Sequence, residues 1–153
     1  MEIKKIFMGI VFSTIAVNSF AQILEPVKWN YSAKKITDKT YEVHLTATID
    51  NGWHIYAQRQ PKDAIAIPTT IKFNKNPLLI LNGKIKETGK KEKYKEPTLG
   101  IEQWQYSDKV DFVQQVKLKS NTKTNISGSV VFQVCTDEKC LPAKTIPFTI
   151  LLK

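Results

Sequence analysis

The sequence predicts an all-β protein, an immunoglobulin-like antiparallel β-sandwich. Three observations carry that prediction: apolar residues alternate with polar ones, the alternating runs are short, and turn-forming residues separate them. Helical spacing is hard to find anywhere in the chain. At 153 residues the protein is long enough for one hydrophobic core.

The amino-terminal element, "MEIKKIFMGIVFSTIAVNSFAQ", is of another kind. Lys4 and Lys5 precede an apolar run, Ile6 to Val17, and Ser19-Phe20-Ala21 follow it. That is the order of a secretory signal, expected to be cleaved after Ala21. The run is short against the ~20 residues of a membrane span, and no later segment is long and apolar enough to cross a bilayer. The expected product is therefore one exported domain, residues 22–153, soluble in the periplasm or its equivalent and not membrane-spanning once the signal is removed.

The strands follow in order. In "TYEVHLTATID", Tyr41, Val43, Leu45, Ala47 and Ile49 share one parity, which reads as a half-buried strand ending at the turn Asp50-Asn51-Gly52. Trp53-His54-Ile55-Tyr56 begins the next. "PTTIKFN" follows Pro68, and "PLLILNG" is bounded by Pro77 and Gly83. The lysine-rich stretch from Gly83 to Gly100 is expected to be a long loop, where function often concentrates. "KVDFVQQVKL" aligns Val110, Phe112, Val116 and Leu118, with Gln114 as the exception. "ISGSVVFQV" aligns Ile126, Gly128, Val130, Phe132 and Val134. The last strand, "TIPFTILL", carries Pro147, which places it at an edge or a bulge.

Net charge is +9, of which Lys4, Lys5 and Glu2 supply +1. Arg59 is the only arginine. Nucleic-acid surfaces cluster their charge and favour arginine forks, so no nucleic-acid partner is expected. Spread lysine reads as solvation and protection of strand edges. Trp29, Trp53 and Trp104 are read as core or edge packing, with Trp104 the better candidate for a partner-facing surface.

Cys135 and Cys140 are the only cysteines. They stand at the mouth of a hairpin whose turn is Thr136-Asp137-Glu138-Lys139. Residues facing each other there are within reach of a disulfide, and export favours its oxidation. Closing so short a loop stabilises by roughly 2 kcal/mol, a small term for a domain with its own core. A bridge at a sheet end is accessible to exchange. The residues by themselves leave stapling and exchange open. Zinc is a poor fit, since only His44 and His54 could join the pair and C-x₄-C alone is not a zinc signature. A Cys140 nucleophile with His54 as base would be disarmed repeatedly by Cys135.

"VCTDEKCLPAKTIPF" resembles the active-site hairpin in the amino-terminal periplasmic domain of the thiol:disulfide interchange protein DsbD, a disulfide bond corrector-type domain. "NGWHIYAQ" is similar to the family's glycine-aromatic segment, and "KEPTLGIEQWQYSDKVDF" to the segment holding its cap loop. The likeness runs from about Trp29 to Leu152. It implies an immunoglobulin-like sandwich acting as a thiol-disulfide relay without a cofactor. The donor would be a thioredoxin-like protein or a membrane electron-transfer protein, and the acceptors oxidised periplasmic thiol proteins. If enzymatic, the activity is that of a protein-disulfide reductase.

By position, Cys140 matches the point of attack on a partner disulfide and Cys135 the resolving cysteine. Tyr56 and His54 match the flanking aromatic positions. Glu96 to Gly100 match the cap, with Leu99 as its apolar shield. The sequence departs from the family in a cysteine spacing one residue narrower, in Leu99 where an aromatic residue is usual, and in Ala143 where a proline is common. It carries neither the membrane nor the thioredoxin-like domain, so donor and acceptor are expected to be separate proteins. The alternative is a non-enzymatic sandwich that binds another envelope protein, its hairpin disulfide structural.

Overall fold

Alternation along the chain becomes two antiparallel sheets packed face to face in a computed structural model that describes residues 24–153. The expected signal segment, residues 1–21, lies outside the described residues. Among the described residues nine strands form: β1 (Val27–Lys35), β2 (Thr40–Ile49), β3 (His54–Tyr56), β4 (Thr70–Phe73), β5 (Leu79–Lys95), β6 (Glu102–Leu118), β7 (Thr124–Phe132), β8 (Val134–Cys135) and β9 (Lys144–Leu152). The expected antiparallel sandwich is what the chain forms. Among the described residues no helix is long and apolar enough to cross a membrane.

The larger sheet runs β1-β2-β6-β3-β8, with β5 on the other side of β6, and the smaller runs β4-β7-β9. Every residue of the predicted β2 stripe, Tyr41 to Ile49, is buried. It packs with Val110, Phe112 and Val116 of β6 against Ile126, Val130 and Phe132 of β7 and Phe148, Ile150 and Leu152 of β9. Aromatic rings close the space between the sheets. Trp29 stacks on Phe112 at 5.9 Å and meets the edge of Phe132 at 5.4 Å, while Tyr31 stacks on Phe148 at 5.5 Å. Trp29 is thus core packing, as expected. Its strand, β1, follows the same alternation through Val27, Trp29, Tyr31 and Ala33, a signal present in the sequence.

Gln114, the polar exception on the core parity of β6, is buried and donates to the carbonyls of Asn82 and Gln115 at 3.0 and 2.8 Å. A buried amide so bonded costs little. Pro147 lies on β9, an edge strand of the smaller sheet, where a missing N–H is harmless.

The lysine-rich stretch departs from expectation. From Gly83 to Lys95 it is strand, part of the 17-residue β5 that pairs along β6 through two register shifts. Only residues 96–100 turn. Lysine and glycine are weak strand formers, but the long partner β6 supplies the ladder, and lysines suit an outer edge that must not recruit another strand.

β6 also organises the far end of the sandwich. Its carboxyl-terminal half pairs with β2, from Lys109 to Lys117, and its amino-terminal half with β3, at Gln105 and Tyr106. β3 therefore continues β2 along the same edge of β6 after the Asp50–Trp53 turn. Opposite that break, Asp108 adopts φ 63°, the left-handed region that aspartate tolerates better than most residues.

Candidate functional site

The cysteines lie where the chain changes sheets. β7 belongs to the smaller sheet, but after Gln133 the two residues of β8 pair with β3 in the larger one. The chain then turns through residues 136–139 and returns to the smaller sheet as β9. Leu141 N–H donates to Val134 O at 2.9 Å, and the Gln133 amide donates to Leu141 O at 3.3 Å, so the two arms of the excursion are tied together.

Thr136 shapes the turn. Its N–H donates to Lys139 O at 2.8 Å, and its hydroxyl oxygen accepts from the N–H groups of Glu138 and Lys139 at 3.2 and 3.1 Å. A threonine that bonds its own turn is a local, sequence-encoded device. It brings Cys135 and Cys140 face to face, 4.0 Å apart at Cα and joined by a disulfide. The two sulfurs have unequal surroundings: Cys135 is fully buried, whereas Cys140 is exposed.

Beside the disulfide opens a cleft of about 290 Å³. Its lining takes in the turn and Cys140, His54 and Tyr56 from β3, Tyr94 and Glu96 from the β5 end, Gln103 from β6, Gln133, and Ile65 and Ala66 from the irregular segment after β3. Four of the six predicted site residues, Cys140, His54, Tyr56 and Glu96, therefore share one cleft. Cys135 lies behind it, bonded to Cys140. Leu99 does not line the cleft; it stands 64% exposed at the tip of the β5–β6 hairpin. Glu96 joins that tip to the site: its carboxylate accepts from Leu99 N–H at 2.5 Å, while its backbone N–H donates to Ile101 O and its carbonyl accepts from Gly100 N–H, both at 2.9 Å. The N–H groups of Leu99 and then Thr98 hold the Glu96 carboxyl below its ordinary range.

His54 and Tyr56 are both buried, their rings edge-to-face at 5.4 Å. Burial pushes the imidazole pKa down, while the Asp137 and Glu92 carboxylates pull it the other way. Burial, and then Tyr94, pushes the Tyr56 phenol up. His54 is the direct cross-strand partner of Cys135. The charge here is local and opposite to that of the whole chain: Glu96, Asp137 and Glu138 line the cleft, with Lys139 as its single lysine.

Gln60 fixes the segment after β3. Its amide donates to Trp104 O at 2.6 Å and Ala57 O at 3.0 Å and accepts from Trp104 N–H at 2.9 Å. Trp104 is half-buried, with the Lys91 and Lys93 ammonium groups 5.4 and 5.9 Å from its ring. His44 stands apart from the cleft and is bonded to Asp111 Oδ2 at 2.7 Å.

Ile65, Ala66, Tyr94 and Gln103 are lining residues that the sequence reading missed. Tyr94 and Gln103 are cross-strand partners on β5 and β6, so reading β5 as a loop hid both. Ile65 lies in a stretch with no periodicity between Pro61 and Pro68, where no pattern marks it.

The model of the family described as "Thiol:disulfide interchange protein DsbD, N-terminal" matches residues 21–151. Among solved structures the fold is similar to the N-terminal periplasmic domain of ScsB from Proteus mirabilis, at 14% identity and a TM-score of 0.57, covering 84% of this chain and 47% of that one. The chain thus spans about half the length of that relative. It is also similar to the complex between the DsbD and PilB N-terminal domains from Neisseria meningitidis, at 14% identity and a TM-score of 0.50, covering 84% of this chain and 87% of that one. The reduced DsbD N-terminal domain from Neisseria meningitidis aligns at 15% identity with a TM-score of 0.49, covering 80% of this chain and 83% of that one. Identities this low speak for the fold alone. No curated protein matches the sequence.

Proposed function

The chain belongs to the family of DsbD amino-terminal domains, and from that premise we propose that it is an exported thiol-disulfide relay working through Cys135 and Cys140. One observation carries the reading: the two sulfurs of a short bridge differ in access, Cys140 exposed beside a cleft and Cys135 buried behind it. A structural staple needs no such asymmetry. A relay does, because one sulfur must meet a partner and the other must wait.

In the reduced chain, Cys140 thiolate attacks one sulfur of a partner disulfide, which breaks and leaves a mixed disulfide. Cys135 then attacks Cys140 Sγ, and the partner departs with two electrons and its thiols restored. A thioredoxin-like protein or a membrane electron-transfer protein reduces the pair again, and the acceptors are oxidised periplasmic thiol proteins. The solved complex of the DsbD and PilB N-terminal domains supports a protein rather than a small molecule as the partner. Sulfur chemistry alone completes the cycle, so no cofactor takes part. Export follows the signal at residues 1–21.

The test is the reduction potential of the pair, read as alkylated thiols after equilibration in graded glutathione or dithiothreitol buffers. A value between about −270 and −120 mV is expected, the range of known exchangers. A value below about −300 mV marks a structural bridge and transfers the assignment to an envelope-binding sandwich. Cys135→Ser gives the second readout: it should accumulate mixed disulfides through Cys140.

A further inference from the structure

Oxidation of the pair takes one proton from each cysteine thiol and delivers both to the reduced partner, and the two thiols are not equally placed to lose them. Cys140 is exposed, so water can take its proton. Cys135 is fully buried, so water does not reach the proton that must leave before its sulfur can resolve the mixed disulfide. A base has to be at hand on the buried side.

His54 stands there. It is the residue directly opposite Cys135 across the β3–β8 pairing, and directly paired residues of antiparallel strands project from the same face. The imidazole is buried, lies edge-to-face with Tyr56, and lines the cleft that also reaches Cys140. Resting on the relay reading, we infer that His54 is the proton acceptor for Cys135 and thereby governs resolution of the mixed disulfide.

The step balances as follows. With Cys140 Sγ bonded to a partner sulfur, the Cys135 thiol gives its proton to an imidazole nitrogen. The thiolate's electron pair forms the Cys135–Cys140 bond. The bond from Cys140 to the partner breaks, and its electron pair leaves on the partner's thiolate. The partner disulfide is the oxidant, reduced by two electrons, and the imidazolium then passes its proton to the departing thiolate or to water in the cleft.

The surroundings suit both states of the ring. Burial holds His54 neutral, and therefore able to accept, at physiological pH. Asp137 from the turn and Glu92 from β5 act in the opposite sense and favour the imidazolium once formed. The other titratable groups lining the cleft are Tyr56, Tyr94, Glu96, Glu138 and Lys139. The ordinary pKa values of tyrosine and lysine lie near 10 and those of carboxylates near 4, so only His54 is matched to proton exchange near neutrality.

The test uses the reduced protein lacking residues 1–21, mixed with excess dithiobis(nitrobenzoate), whose thiolate product is coloured. One product is released when Cys140 attacks and a second when Cys135 resolves. In the parent, the second release should rise with pH through a step below the ordinary histidine value of about 6.5, a step absent from the first. His54→Gln and His54→Phe should each lower the ratio of second to first rate by about ten-fold or more. They should also move its pH dependence to the thiol range near 8.5 and above. Absence of the low step in the parent overturns the inference without any variant. An unchanged ratio in both variants overturns it, and so does slowing in one variant alone, which is a packing effect. Failure of the relay itself looks different: the pair's potential falls below about −300 mV.

Discussion

A Cβ added at Gly128 would sit 2.1 Å from Lys72 O and 2.8 Å from Phe148 Cζ, because β7 is gripped between β4 and β9. Backbone cannot yield as a flexible side chain can. Gly128→Ala should therefore destabilise the protein by about 1–3 kcal/mol, read as a lowered denaturant midpoint at unchanged slope. An unchanged midpoint would contradict the packing at that point. In the sequence Gly128 falls on the inward parity of its strand, so its place was readable but its reason was not; alternation says which face a residue joins, never how close the next strand comes. The same limit applies at the site. The cysteine pair and its turn are local in sequence and were legible as a hairpin bridge. Gln103 was not, since a glutamine on a strand carries no mark of the cleft it lines.

The long hairpin of β5 and β6 shows what single-strand propensity cannot weigh. "KIKETGKKEKYKEP" has the composition of a loop, yet β6 is long enough to hold all of β5 in register across 13 paired residues, nine of them in this stretch. Pairing with a buried neighbour outweighs weak intrinsic preference. Residues 96–100, which the resemblance matches to a cap, are the only part of the stretch from Gly83 to Gly100 that turns. We propose this tip as a flap over the cysteines. Glu96 lines the cleft while Leu99 stands outside it, so Leu99 can shield the site only by bending inward, as Gly100 with φ 68° and no Cβ permits. Leu99→Asp should leave the fold intact and speed alkylation of the reduced cysteines. Equal alkylation rates in variant and parent would remove the tip from the site.

At the scale of the molecule, the core and the disulfide are separate sources of order. The core joins both sheets through residues far apart in sequence, whereas the bridge closes a loop of only six residues, worth about 2 kcal/mol in the chain-entropy model. Reduction should therefore lower the unfolding midpoint modestly and preserve a single cooperative transition. Loss of cooperative folding on reduction would show that the bridge holds the sandwich together. This division also explains which parts the sequence disclosed: the sandwich rests on alternation, which is visible, while the cleft is assembled from five segments whose meeting is set by topology.

The break between β2 and β3, opposite Asp108, has a consequence for how such a protein can be altered. One half of β6 serves the sandwich and the other half serves the cleft, with the seam between them falling at a single left-handed residue. A designer can treat the two halves as cartridge and grip: the segments around 53–57, 65–66, 91–107 and 133–142 form the exchangeable end, and replacing it leaves the buried stripes of β2, β7 and β9 in place as long as Ile55, Ala57, Tyr106 and Val134, which pack into the same core, are kept.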